Sequence, residues 1–371
     1  MKRIGIECRS IEGKEHLWGV GKMIVGLLKD ISHRTELEKD FRFVLYFKDE
    51  VPDLPFLNAP IFEKKKVPVP FFKGRLFPIY YFALLPIKLW FERLDWMFWP
   101  NYMLPIIAHN KSVVMLTEDI YYETHGGRLP FRYRLAYGIF AWWTAKFSTK
   151  VLAISETSKK SISQLYKINP ERIFVNYLGI DIPKLTSLQA YKLTNYILYV
   201  GQMFPRRHAK ETILAFEKIA PDFQDLKLIA IGPDKYEAPT IKSLVSQVNK
   251  NLGREAIIQK DYVSDSELID LYAEAKSLIY VSDREAFGLP PMEALAFGVP
   301  PIITDNELGH ELFNDHAFFV KNSDIDSIAE GIKRSLIESE KIKRIKDSGP
   351  SFVKKYSWNT FTNKFLEIIN A

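Results

Sequence analysis

Short apolar runs of strand length alternate with amphipathic stretches along this chain, and the alternation starts twice. RIGIEC reads as a strand, followed by a loop and an amphipathic helix from about Val20 to Ile31. FRFVLYF (41–47), SVVMLT (112–117) and KVLAIS (150–155) are further strands, the last two each leading into a polar turn. Ser155 is placed to cap a helix over ETSKKSISQLY, and RIFVNYLGI follows as a strand. From Asp181 to Asn195 the pattern loosens, which predicts a linker. A second series then begins: strand YILYVG, helix KETILAFEKIA, strand LKLIAIG ending at Gly232-Pro233. Helix SDSELIDLYAEA opens with a capping box from Ser264 to Glu267. Strand SLIYVSD, helix PPMEALAFG and strand PPIITD complete it, the helix opened by proline and stopped by Gly298. Strand–helix alternation implies a parallel sheet with helices on both faces. The expected fold is α/β: two doubly wound, Rossmann-like domains, 1–182 and 183–355, with a ligand cleft at the C-terminal ends of their strands. YSWNTFTNKFLEIINA, about 356–371, has an apolar helical face and no partner strand. It is expected to cross the domain junction back to the first domain.

Composition narrows the function only slightly. The 371 residues suit two domains, and 47% hydrophobic with 26% charged residues is ordinary for folded chains with a core. A net charge of +6 fits nucleic acid, an anionic membrane surface or a phosphorylated small molecule. No basic stripe or known module favours nucleic acid. A single cysteine, Cys8, rules out an intrachain disulfide and fits a reducing cytosol. The opening MKRIGIECRS lacks the apolar core of a signal peptide. The longest apolar run, Leu76 to Ile87, holds Pro78 and Pro86 and falls short of the ~20 residues of a membrane span. Aromatic residues concentrate before residue 150, above all in the stretch to Trp99. Residues 71–99 read either as a basic, aromatic surface for peripheral contact with anionic lipid, or as buried core. The expected location is the cytoplasm, at the inner membrane face under the first of these readings.

The densest chemistry lies in DREAFGLPPMEALAFGVP, residues 283–300. Strand SLIYVSD delivers Glu285 to the loop at the strand's C-terminal end. Pro290 or Pro291 opens the next helix, so Phe287, Gly288 and Leu289 lie at its N-terminus. There, amides without intrahelical partners and the helix dipole form an anion site. Gly288 allows close approach of a ligand. Glu293, expected in the first helical turn facing the loop, suits a ribose diol, and Glu285 suits sugar hydroxyls. Dipole preference alone explains one glutamate in a first turn, and prolines starting helices are routine; the whole string needs more than that. Asp324-Ile325-Asp326 is explained by capping rather than metal binding. The seven histidines show no ligand spacing, and no G-x-S-x-G or P-loop pattern occurs.

EAFGLPPMEALAFGVPPI resembles the E-x7-E signature of retaining glycosyltransferases of the GT-B fold, family 4 (glycosyl transferases group 1), with Ala286 at the usual glycine. The resemblance implies that Glu285 meets the donor sugar, Glu293 the ribose, and the amides of Phe287, Gly288 and Leu289 the diphosphate. YVGQMFPRRHAKETILAF is similar to the family's Y-V-G-R-L-x-P-x-K-G segment, Gly201 included. Arg207 stands at the usual lysine, beside Arg206, where cations hold the diphosphate and stabilise the leaving group. Gln202 replaces the family's arginine, and Arg206 or Lys210 is the candidate to compensate. RIGIECRS and WGVGK resemble the family's opening, with Gly19 and Gly21 approaching the ligand; the ten-residue loop before Gly19 is too long for a Rossmann turn. VLAISETSK, NYLGID and Ser357-Trp358 match further family segments. The family's His-Asp after the strand corresponding to SVVMLT is Glu118-Asp119 here. Either residue contacts acceptor or donor sugar, or His125 serves, or the position is structural. The implied activity is retaining transfer from a UDP- or GDP-sugar to a hydroxyl of a glycan or lipid-linked acceptor, without cofactor or metal, in cell-surface polysaccharide or glycolipid synthesis. Alternatives are an epimerase or phosphorylase using the same site, or a decayed glycan- or membrane-binding subunit.

Overall fold

The computed structural model describes residues 1–13, 19–68, 79–107, 110–125, 130–181 and 195–371. Most of the expected linker and residues 71–78 of the aromatic stretch lie outside them. The chain divides into two compact units, Met1–Gly179 with Tyr356–Ala371, and Ile180–Lys355.

Unit 1 is a seven-stranded parallel sheet, β1 (Lys2–Glu7), β2 (Phe41–Phe47), β3 (Phe62–Lys66), β4 (Trp96–Trp99), β5 (Lys111–Met115), β6 (Lys150–Ala153) and β7 (Ile173–Val175), in the order 3-2-1-4-5-6-7. Its helices are α1 (Val20–Ser32), α2 (Leu85–Trp90), α3 (Asp119–His125), α4 (Phe131–Phe147) and α5 (Glu156–Tyr166). Ser155 Oγ accepts from Ser158 N and caps α5 as expected. The aromatic stretch is divided. Tyr80, Tyr81, Leu85, Leu89 and all of β4 are buried, with Tyr81 edge-on to Trp99 at 5.4 Å. Ile87, Trp90 and Phe91 are exposed. Much of its described part, 79–99, is therefore core.

The sheet order reverses between β1 and β4, and a buried carboxylate sits there. Glu7 ends β1; it accepts from Arg9 N at 3.1 Å and from Asn101 Nδ2, beyond β4, at 3.2 Å. Burial pushes its carboxyl up to about 7, against the opposing pull of the Arg9 charge. Folded protein thus holds a proton that the unfolded chain has released above about pH 4.5. Folding is penalised increasingly as pH rises through that window. We expect wild type to lose about 3 kcal/mol relative to Glu7→Gln between about pH 4.5 and pH 7, measured as urea unfolding of both proteins across that range.

Unit 2 holds β8 (Tyr196–Val200), β9 (Lys227–Ile231), β10 (Ile257–Lys260), β11 (Ser277–Tyr280), β12 (Pro301–Thr304) and β13 (Phe318–Val320), parallel in the order 10-9-8-11-12-13. Its helices are α6 (Ala209–Ile219), α7 (Ile241–Asn251), α8 (Asp265–Glu274), α9 (Leu289–Ala296), α10 (Glu307–Phe313), α11 (Ile325–Ile337) and α12 (Ser339–Phe352). Ser264 caps α8 through Glu267 N, and Asp324 caps α11 through Ser327 N, as the sequence predicts.

The last helix, α13 (Trp358–Asn370), is capped by Ser357 and returns to unit 1. Phe365 meets Phe98 of β4 at 4.9 Å, and Asn176 Nδ2 donates to the Phe361 carbonyl at 3.0 Å. Trp358 packs on Gly26 and Gly179, where any Cβ would come within 2.5 Å of it.

Candidate active site

Two loops meet at the C-terminal ends of the neighbouring strands β8 and β11. The first leaves β8 at Gly201, whose φ of +147° suits glycine, and turns through Pro205–Arg207. The second leaves β11 and runs to Gly288. A backbone bond from Asp283 N to the Arg206 carbonyl, 2.8 Å, ties them together. His208 Nε2 lies 2.6 Å from Asp283 Oδ1, which also accepts from Asn322 Nδ2 at 2.7 Å. His208 adopts φ +45°, a conformation side chains rarely take, and caps the start of α6. Such a backbone persists when its surroundings enforce it.

This tie brings Arg206, Arg207 and Glu285 into one cluster. Arg207 Nε donates to Glu285 Oε1 at 2.8 Å and its Nη2 to Oε2 at 3.3 Å. Arg206 Nη1 donates to the same Oε1 at 3.0 Å and to the Arg284 carbonyl at 2.8 Å. The sequence expectation treated the arginines as diphosphate ligands and Glu285 as a sugar ligand. Here they form one charged unit, because the loops converge on a single point. A carboxylate has about four acceptor positions. Three are used, so Oε2 keeps room for a hydroxyl donor. Burial works against the Arg207 charge, but Tyr280 and Glu285 more than offset it and push its pKa above the ordinary value. Arg207 also lies over the Tyr280 ring, 5.3 Å from its centroid.

Gly288 caps α9 at φ +89°, and the helix begins at Leu289, one residue before the expected proline. Pro290 and Pro291 carry no N–H, so of the first three helical positions only Leu289 offers a backbone amide donor. A cavity in unit 2 is lined by Glu285, Phe287 and Gly288 on one side and Thr304, Asn306 and Gly309 on the other. Glu293 is the fifth residue of α9, in its second turn rather than the first, because the helix starts early. Tyr272 Oη donates to its Oε2 at 2.9 Å, orienting the carboxylate from α8.

The remaining candidates are placed as follows. Lys210 Nζ stands over the Tyr236 ring at 4.4 Å, so Arg206 is the cation that joins Arg207 at Glu285. Gly19, at φ +46°, caps α1, and Gly21 is buried in its first turn. Glu118 is buried and accepts from Ser158 Oγ at 2.7 Å, which anchors the start of α5. Asp119 opens α3, half-buried; His125 closes it, stacked on Tyr121 at 3.9 Å. The sequence reading missed His208, Asp283 and Asn322. The signal available for the first two was their adjacency to Arg207 and Glu285.

Two doubly wound units, the second carrying paired glutamates around a helix N-terminus, define a chain of the GT-B fold. WaaG, a glycosyltransferase involved in lipopolysaccharide biosynthesis, superposes with a TM-score of 0.72 at 17% identity over 99% of this chain and all of that one. Anabaena HepE, solved with UDP and glucose, gives 0.72 at 18% over the full length of both. Residues 185–352 match the model of the family described as glycosyl transferases group 1. The O-antigen chain mannosyltransferase RfbU of Salmonella typhimurium is 28% identical over 63% of this chain and 62% of its own length. The O-antigen chain mannosyltransferase B of Escherichia coli is 29% identical over 58% and 59%. The chain thus matches about three-fifths of these relatives.

Proposed function

We propose that the protein is a retaining glycosyltransferase that moves a hexose from a UDP- or GDP-sugar to a hydroxyl of a glycan or lipid-linked acceptor. The observation that carries this reading is the Arg206–Glu285–Arg207 cluster beside the N-terminus of α9. Two guanidiniums and the backbone amides at Phe287, Gly288 and Leu289 suit a diphosphate; the free capacity of Glu285 Oε2 suits the adjoining sugar. In the transfer, the bond from the anomeric carbon to the diphosphate oxygen breaks and the acceptor oxygen bonds to the same face. The acceptor proton passes to the departing diphosphate. Arg206 and Arg207 stabilise the charge gathering there, so the reaction as proposed needs no metal or cofactor. Glu293, held by Tyr272, takes the ribose. The names of the relatives make mannose the first sugar to test and bacterial-type surface polysaccharide synthesis in the cytoplasm the setting.

Calorimetric titration with UDP, GDP, ADP and NAD, without metal, tests the donor site. One nucleoside diphosphate should bind, and Glu293→Ala should weaken it at least ~10-fold by removing the acceptor of the ribose hydroxyls. If none of the four binds, the donor reading fails and the decayed-subunit alternative takes its place.

A further inference from the structure

Four non-glycine residues among those described have a left-handed backbone: Lys167, His208, Asn314 and Ser323. Two of the four sit in loops that bond one side chain, Asp283. Its Oδ1 takes His208 Nε2 at 2.6 Å from the loop after β8, and Asn322 Nδ2, next to Ser323, at 2.7 Å from the loop after β13. Three loops at the C-terminal edge of the second sheet therefore meet at one carboxylate, two positions before Glu285. Left-handed side-chain residues persist where the surroundings enforce them, and they gather at functional sites. At φ +45° and ψ +39°, His208 holds a turn that glycine would take without steric cost. Its side chain is only 8% exposed, wedged between Asp283 and Glu211, whose Oε2 stands 3.6 Å from Nδ1. Facing a carboxylate, which accepts only, Nε2 carries the proton. With a carboxylate beside each nitrogen, the ring presents neither one to a ligand. What it supplies beyond the turn is reach.

We propose that His208 is a positioning residue for sugar transfer: acting through Asp283, it fixes the spacing of the two site loops and with it the aim of Arg206, Arg207 and Glu285. The loops are joined by rungs in step. Asp283 N donates to the Arg206 carbonyl, His208 bonds the Asp283 side chain, Arg206 Nη1 donates to the Arg284 carbonyl, and both guanidiniums bond Glu285. The ionic rungs are the ones a diphosphate competes for, because its oxygens draw on the same guanidinium donors. The His208–Asp283 rung lies outside that competition, so it holds the loops in register while the arginines turn to the leaving group. Register matters because a displacement of about 1 Å in a reacting site costs ~10²-fold in rate. This inference rests on the donor reading of the same site.

Three substitutions at His208 set reach against backbone preference. Glycine and asparagine suit the left-handed turn best but stop short of Asp283. Glutamine suits it less, yet its Nε2 lies as many bonds from Cβ as that of histidine and donates to the same oxygen. The full chain is assayed with GDP-mannose and then UDP-glucose, reading release of the nucleoside diphosphate; circular dichroism and thermal midpoints check that each variant folds. His208→Gly and His208→Asn should lower kcat at least ~10-fold, while donor KM, which draws also on Glu293, moves less than ~3-fold. His208→Gln should recover most of the loss. Asp283→Ala should fall at least as far as His208→Gly, and adding His208→Gly to it should cost nothing further, since both remove one bond. The proposal is overturned if His208→Gly and His208→Asn turn over like wild type, or if His208→Gln is no better than they are; the ring then serves only the turn or its packing. Wild type that releases no nucleotide overturns the donor reading and this inference with it. Equal release by wild type and His208→Gly overturns this inference alone.

Discussion

Arg207→Ala should lower kcat by ~10²-fold or more, with a smaller effect on acceptor KM. The argument is electrostatic. Removing a fixed cation aimed at a developing negative charge costs the transition state more than the ground state, and losses of this size follow in other active sites. In this cluster the loss has a second component: Glu285 Oε2 loses the donor at 3.3 Å, and Oε1 keeps only Arg206. The Glu285 carboxylate is then less firmly oriented. Arg207→Lys should recover little, because one ammonium cannot span both carboxylate oxygens as Nε and Nη2 do. Steady-state kinetics with the nucleotide sugar identified by calorimetry measure this. Unchanged kcat in Arg207→Ala would discard the leaving-group role.

Gly232→Ala should be the most damaging single methyl in unit 2. A Cβ there would stand 1.9 Å from the Gly201 carbonyl oxygen, a backbone atom that cannot move aside alone. The residue also sits at φ +142°. We expect a loss of about 3 kcal/mol or more, seen as a lowered thermal midpoint, from overpacking combined with backbone strain. Gly253→Ala is the control: φ is +66°, but no atom lies within 4 Å of the added carbon, so only the conformational cost of about 1 kcal/mol remains. The effect should extend to the site. Gly201 leads into Gln202, whose carbonyl accepts from Arg207 Nη1 at 3.4 Å, so displacing this backbone shifts the arginine. Nucleotide affinity should therefore fall in Gly232→Ala and hold in Gly253→Ala.

The alternation of strands and helices was legible because most sheet strands are buried on both faces and read as continuous apolar runs, as YILYV and SLIY do. Caps at Ser155, Ser264 and Asp324 were legible because a short polar side chain before a periodic stretch has one local use. Helix α4 gave no such signal. Its apolar residues occupy both the packed side and the exposed side, so no amphipathic period remains to be read. Helix α12 was obscured differently, by an interior Pro350 and a polar surface. At the candidate site, the order of residues singled out the arginines and the glutamates. It did not reveal that Glu285 would be claimed by both guanidiniums, since that depends on Asp283 and His208 joining two loops 75 positions apart. Nor did it reveal the second-turn position of Glu293, which follows from Gly288 taking the cap.

The return of α13 to the first unit carries a consequence for synthesis. Phe98 of β4 is made early, yet its neighbour Phe365 comes hundreds of residues later. Unit 2 is translated in between as one uninterrupted stretch. The domain that begins first on the ribosome is therefore finished last, and until α13 arrives the site prepared for Phe361, Phe365 and Trp358 faces water. A nascent chain halted before Trp358 would carry a complete second unit attached to an unsealed partner, a form that chaperones and proteases recognise by its exposed apolar floor.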